Sequence, residues 1–240
     1  MTGRRWMYAD GAIELVGELY EPDGPPNGRA VLVVHEADGI GANVRRRCVL
    51  LAERGYVAAA ADMHGGGRVL EPDEIPPAIA RFRNDATLIR ARVGAAFDAL
   101  SVETGLPPAR VAAIGYCFGG FAVLELARAG APAAAVLSFH GILTSPRGAG
   151  AGEIRTPILA STGAMDPLVP PGDVSTFEQE MRQAGADWHL LTHGRAWHSF
   201  TNADVDALDD PRMRYDPVAD AVSWSAALAF LDASFADLGR

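Results

Sequence analysis

The chain has 240 residues, of which 49% are apolar and 21% charged, and its formal charge is −9 with a pI near 5.1. That apolar share supports a sizeable core and speaks against disorder, and an acidic chain has no general electrostatic reason to seek nucleic acid or an anionic membrane. Lysine is absent, which excludes Schiff-base chemistry, Ser–Lys catalysis and a phosphate loop ending in Gly-Lys.

Cys48 and Cys117 are the only cysteines; they build no disulfide framework, and neither belongs to a CxxC pair. The basic start at Arg4-Arg5 is followed by Asp10 and Glu14, so no signal-peptide core forms, and no run of about 18 apolar residues suggests a membrane span. The expectation is a cytoplasmic protein with one domain over residues 1–240.

In chain order, Ala12–Tyr20 alternates and reads as an antiparallel edge strand. Arg29–His35 is the clearest buried strand, with three valines. Val44–Arg54 carries helical spacing, and Gly55 suits its C-terminal cap. The series continues with a strand at Tyr56–Asp62, a helix at Asn84–Leu100, a strand at Arg110–Tyr116 and a helix at Phe118–Ala129. Strands at Ala133–His140 and Pro157–Thr162, a helix at Asp173–Ala184, a strand at Asp187–Thr192 and a helix at Val218–Phe235 complete it. Apolar strands alternating with helices imply a mainly parallel sheet covered on both faces. The stretches His64–Pro77 and Ser145–Ile154 read as loops, placed to shape a pocket.

The hexapeptide Gly115-Tyr116-Cys117-Phe118-Gly119-Gly120 follows a predicted strand and opens a predicted helix. A G-x-nucleophile-x-G pattern there is the signature of a nucleophile elbow. Its small residues let strand and helix approach closely, and the positive end of the helix favours a thiolate over a thiol. Cys48, inside a helical apolar pattern, reads as a core residue. The N–H of Phe118 would face a developing oxyanion, and the loop after Arg29–His35 would supply a second donor at Ala37.

An elbow thiol needs a base and an orienting acid, in the chain order nucleophile, acid, histidine. His198, in the loop after the last predicted strand, is the leading base, with His193 its rival. His35, His140 and His189 lie on or at the ends of strands and read as packing or hydrogen-bonding residues, and His64, beside Gly65-Gly66-Gly67, as solvent-exposed. Asp166, before Pro167 in the loop after Pro157–Thr162, is the candidate acid that holds the imidazole tautomer. Glu36 reads equally well as a capping or solvated glutamate and as a functional carboxylate beside the thiol. No H-E-x-x-H pattern or calcium loop is present, so neither a metal nor an organic cofactor is expected.

On these residues the chain resembles the dienelactone hydrolase family of α/β-hydrolases, from about Val31 to Phe235. The pieces that carry the resemblance are the elbow hexapeptide, His35-Glu36, Asp166-Pro167-Leu168-Val169-Pro170 and Trp197-His198-Ser199-Phe200-Thr201. It implies a triad of Cys117, His198 and Asp166 acting on a small ester or lactone, and a role for Glu36 in deprotonating the thiol when substrate arrives. Family members that act on dienelactone carry arginines for the substrate carboxylate, one shortly after the catalytic histidine. Here Asn202 stands in that neighbourhood, with Arg195 before the histidine and Arg81 and Arg83 further off. A carboxylesterase or thioesterase on the same triad, or an α/β-hydrolase that binds a ligand without turnover, are the competing readings.

Overall fold

Strands with almost no polar side chain have only one stable place, the middle of a sheet covered on both faces. The computed structural model describes residues 2–237. In it β3 (Ala30–Val34), β4 (Val57–Ala61), β5 (Val111–Tyr116), β6 (Val136–Phe139) and β7 (Ile158–Gly163) are buried at every position. With β1 (Arg4–Asp10), β2 (Ile13–Tyr20) and β8 (Trp188–His193) they form one sheet of order β1-β2-β4-β3-β5-β6-β7-β8. β1 and β2 are antiparallel, as are β2 and β4, and the remaining pairings are parallel.

The helices are α1 (Ala42–Ala52), α2 (Ile75–Asn84), α3 (Ala86–Thr104), α4 (Phe118–Arg128), α5 (Pro171–Ala184) and α6 (Pro217–Asp237). Period-2 alternation divides the core between the two faces of the sheet. Val31 and Val33 pack with Cys48 and Leu51 of α1 and Leu231 of α6. Leu32 and Val34 pack with Ile89 and Phe97 of α3, Phe121 of α4 and Phe177 of α5. Among the described residues one helix, α6, is long and apolar enough to cross a membrane by length and composition. Its Ala219, Ser223, Ala227, Leu231 and Phe235, spaced by four, are buried, and the last three share a core with β3 and β5.

α4 is enclosed all round, from Phe118 to Arg128. Its two charged residues are answered inside the protein: Glu125 receives Arg90 at 2.8 Å and Arg128 at 3.1 Å, and Arg128 reaches Glu180 at 2.7 Å. Such pairing is what makes a buried charge tolerable.

Two expectations need correction. Ala12–Tyr20 does not form the sheet edge, because β1 pairs along its whole length and buries Trp6 and Tyr8 on one face. The stretch His64–Pro77 is not all loop, since α2 begins at Ile75 with prolines at its first positions. Proline is unfavourable inside a helix but suited to its first turn, where the missing N–H has no intrahelical partner.

The elbow is held by close backbone contact. A Cβ at Gly119 would lie 2.2 Å from the Val34 carbonyl oxygen and 2.6 Å from that of His35, and one at Gly115 would lie 2.0 Å from the Gly119 carbonyl oxygen. These are backbone atoms that cannot rotate aside. Gly119→Ala is therefore expected to destabilise the protein by about 2–4 kcal/mol, measured as a lower midpoint of urea unfolding.

Candidate active site

The site lies where the parallel strands end, at the turn between β5 and α4. Cys117 occupies that turn at φ 53° and ψ −114°, a conformation rare for any residue with a side chain. It is partly exposed, whereas Cys48 is sealed in the core and burial pushes its thiol pKa well up.

His198 and Asp166 arrive from two neighbouring loops. Asp166 follows β7, and its Oδ1 accepts the Leu168 N–H at 2.8 Å. The two loops touch where Gly163 meets the backbone of Ala196 and where the Met165 N–H donates to the Ala196 carbonyl at 3.0 Å. The His198 backbone is braced by Arg212 and Arg214, whose carbonyl and N–H bond to it at 3.3 and 3.1 Å. Imidazole Nδ1 then stands 2.8 Å from Asp166 Oδ2, and Nε2 stands 3.0 Å from Cys117 Sγ. A carboxylate accepts, so Nδ1 carries a proton and donates it. Burial lowers the His198 pKa, but its interactions with Cys117 and with the Asp166 carboxylate outweigh it and raise it to about 10.

Ala37 and Phe118 flank the thiol's turn. Among the described residues neither backbone N–H has a protein acceptor. Glu36 is brought to the same loop but not bonded to the sulfur; its Oε2 accepts the Asn202 side-chain N–H at 2.9 Å. Oε1 is sealed from solvent and, among the described residues, unpartnered. Burial, followed by the charge of Asp38, raises the Glu36 carboxyl to about 7.

The other histidines are placed apart from the thiol's side chain. His193 bonds Ser161 Oγ at 2.8 Å rather than any member of the Cys117 cluster. His140 Nδ1 accepts the Cys117 backbone N–H at 3.1 Å, and Nε2 faces Thr201 Oγ1 at 2.8 Å, so this buried ring supports the elbow from behind. His189 lies on the exposed side of β8 with its ring edge on Phe230. His64 is not solvent-exposed as expected. The Asp62 carboxylate gathers the N–H groups of Val16, His64, Gly65 and Gly67, which folds the glycine-rich loop inward and lays the His64 ring on Phe118 at 5.9 Å.

Arginine is sparse at the thiol. Arg195 and Arg83 are exposed, and Arg81 lines a cavity of about 340 Å³ with His64, Phe82 and Arg92. Phe82 packs on Phe118, so this cavity adjoins the elbow. Arg212 went unnoticed in the sequence. Its guanidinium is held by Asp210, and its charge also reaches Cys117. A larger cavity of about 700 Å³ lies beside β2 and α1, lined by Arg5, Glu18 and Arg45, and includes none of the candidate residues.

Comparison with known proteins shows the family. A dienelactone hydrolase-like promiscuous phosphotriesterase from metagenomic libraries is 38% identical, superimposes with a TM-score of 0.90, and is matched over 96% of this chain and 97% of its own. An uncharacterized protein of Caenorhabditis elegans is 33% identical over 150 residues, 62% of this chain and 95% of that protein. A probable 2-oxo-3-(5-oxofuran-2-ylidene)propanoate lactonase of Bradyrhizobium is 27% identical over 217 residues, 84% of this chain and 82% of that protein. The family model of the dienelactone hydrolases matches residues 15–235, and the chain belongs to that family, within the α/β-hydrolases.

Proposed function

We propose that the protein hydrolyses small, uncharged carboxylic esters or lactones through Cys117, His198 and Asp166. The observation that carries this reading is the hydrogen-bonded run from Asp166 Oδ2 through both imidazole nitrogens to the sulfur, with the sulfur on the strained turn. His198 holds the proton and Cys117 attacks as thiolate, forming the S–C bond while the carbonyl π pair moves to oxygen. The N–H groups of Phe118 and Ala37 receive that oxyanion. Its collapse breaks the C–O bond, and His198 gives its proton to the leaving alkoxide. Neutral His198 then takes a proton from water as it attacks the thioester, and the thiolate leaves with the acid product. Glu36, held by Asn202 at 2.9 Å, is the alternative to His198 as acceptor of the thiol proton when substrate enters. No metal or organic cofactor has a part in this scheme.

The preference for an uncharged substrate rests on the arginines. Arg212, whose charge reaches the sulfur, is already bound to Asp210, and Asn202 offers no charge. In the cavity beside Phe82, Arg68 and Arg92 are likewise bound, to Glu74 and Asp10. A second reading is favoured by the 38% identical phosphotriesterase. In that reading the same thiolate attacks the phosphorus of an uncharged triester and displaces its alkoxide or phenolate.

The test is hydrolysis of p-nitrophenyl acetate, dienelactone and a p-nitrophenyl phosphotriester by wild type and Cys117→Ala. Turnover of the acetate falling at least about 1000-fold in the variant supports the triad; equal rates in the two proteins sink it. Dienelactone turned over faster than the acetate would overturn the uncharged preference.

Two further outcomes follow from the charges. In Cys117→Ser the imidazolium loses the thiolate that lifts it, so the His198 pKa is expected to fall from about 10 toward neutrality, read by NMR titration of the ring. For Glu36 the sign is opposite to that of a paired acid. Its carboxyl is raised from 4.5 to about 7, so the buried group favours folding while protonated, and that contribution is lost as pH rises from 4.5 through 7. Glu36→Gln should therefore be more stable than wild type above pH 7, by on the order of 2 kcal/mol, with the difference vanishing near pH 4. Urea unfolding at the two pH values measures it.

A further inference from the structure

Two histidines that the proposed reaction does not use face the loop that carries the Ala37 N–H. His35 is fully buried at the end of β3, and its Nδ1 lies 2.5 Å from the Glu36 carbonyl oxygen. Its Nε2 accepts the Met63 backbone N–H at 3.1 Å. A neutral imidazole that accepts at one nitrogen carries its proton on the other, so Nδ1–H donates to the Glu36 carbonyl. Burial, then the neighbouring His64, lowers the His35 pKa to about 4, which keeps the ring neutral at pH 7. His64 Nε2 lies 3.0 Å from the Ala37 carbonyl oxygen. A carbonyl only accepts, so that nitrogen donates. Burial lowers the His64 pKa as well.

The Glu36 carbonyl and the Ala37 N–H are the two ends of a single peptide unit. The unit is planar and trans, so the two groups point in opposite directions. A donor fixed on the oxygen fixes the direction of the N–H and polarises it toward giving its hydrogen. His64 restrains the next peptide unit through the Ala37 carbonyl. Its ring also lies 4.8 Å from that of His35 and stacks on Phe118, the residue with the other free N–H. The two donors, one from the β3 loop and one from the elbow, thus share a single stack of rings.

We propose that His35 and His64 are positioning residues of the oxyanion hole, His35 aiming the Glu36–Ala37 peptide and His64 locking the Ala37–Asp38 peptide against Phe118. Neither touches the reacting atoms. The inference rests on the ester-hydrolase reading, because it requires the Ala37 N–H to receive the oxyanion.

The experiment separates aiming from packing. Asparagine at 35 retains a donor near the Nδ1 position, whereas glutamine places its amide nearer Nε2 and leaves the Glu36 carbonyl unbound. The readouts are kcat and KM for p-nitrophenyl acetate, and the rate of Cys117 alkylation by iodoacetamide, which forms no oxyanion. His35→Gln is expected to lose about 10–100-fold in kcat with KM and alkylation within about threefold of wild type. His35→Asn should recover kcat to within about fivefold of wild type. His64→Leu should lose about tenfold in kcat, and His64→Gln, which keeps a donor near Nε2, should not. Wild-type kcat in His35→Gln overturns the proposal, as does equal loss in both His35 variants together with slowed alkylation. Cys117→Ala measured alongside keeps the two failures apart. An active Cys117→Ala removes Cys117 as the nucleophile and with it the proposed triad, whereas an inactive one beside a fully active His35→Gln removes only the role of the histidines.

Discussion

The contact between the start of α4 and the ends of β3 and β5 sets the geometry of everything around it. Gly119 lies against the carbonyls of Val34 and His35 at a distance no Cβ would survive, and Gly115 lies equally close to Gly119. Packed that tightly, the chain turns from strand to helix in a single residue, and Cys117 takes the backbone strain. The same contact brings the loop after β3 beside the elbow, where the His35 and His64 rings pack against Phe118. One steric fact at two glycines therefore places both the sulfur and the groups around it.

Around that turn the protein separates charged from neutral imidazoles. His198, with a carboxylate on one nitrogen and the sulfur on the other, is held strongly basic. His35, His64 and His140 are drawn the other way, chiefly by burial, and serve as neutral donors and acceptors for backbone groups. The same residue type thus fills two physical roles within one site, decided by whether a carboxylate hydrogen-bonds the ring. Glu36 falls between them. Burial and the charge of Asp38 raise its carboxyl, and the neutral Asn202 that bonds it offsets only part of that rise.

Much of this was legible in the residues, and the gaps have physical causes. The apolar strands from Ala30 to Gly163 announce themselves because burial on both faces leaves little place for polar side chains. The elbow could be read because its glycines answer a local steric demand. Cys117, Asp166 and His198 could each be placed in a turn or loop after a strand, and the structure brings their side chains together. β1 was missed because its signal is weak alternation beside a basic start, and only pairing with β2 gives it meaning. α2 was obscured by two prolines that suit a first turn. The inward fold of His64 depends on Asp62 collecting four backbone N–H groups, a tertiary arrangement with no spacing rule. The grip of Asn202 on Glu36 spans 166 residues and lies equally beyond any local pattern.

The complete enclosure of α4 bears on how the protein breathes. Local opening events draw on segments with few buried contacts, and a helix buried on every side exchanges its amides only when the whole core comes apart. The sulfur rides on the end of that helix, so its position persists for as long as the molecule is folded. α2 has an exposed face but anchors its buried Phe82 on Phe118, and the loop from Ser145 to Ile154 packs at the opposite, C-terminal end of α4. The place of the sulfur is therefore set by the core of the molecule and not by its outer segments.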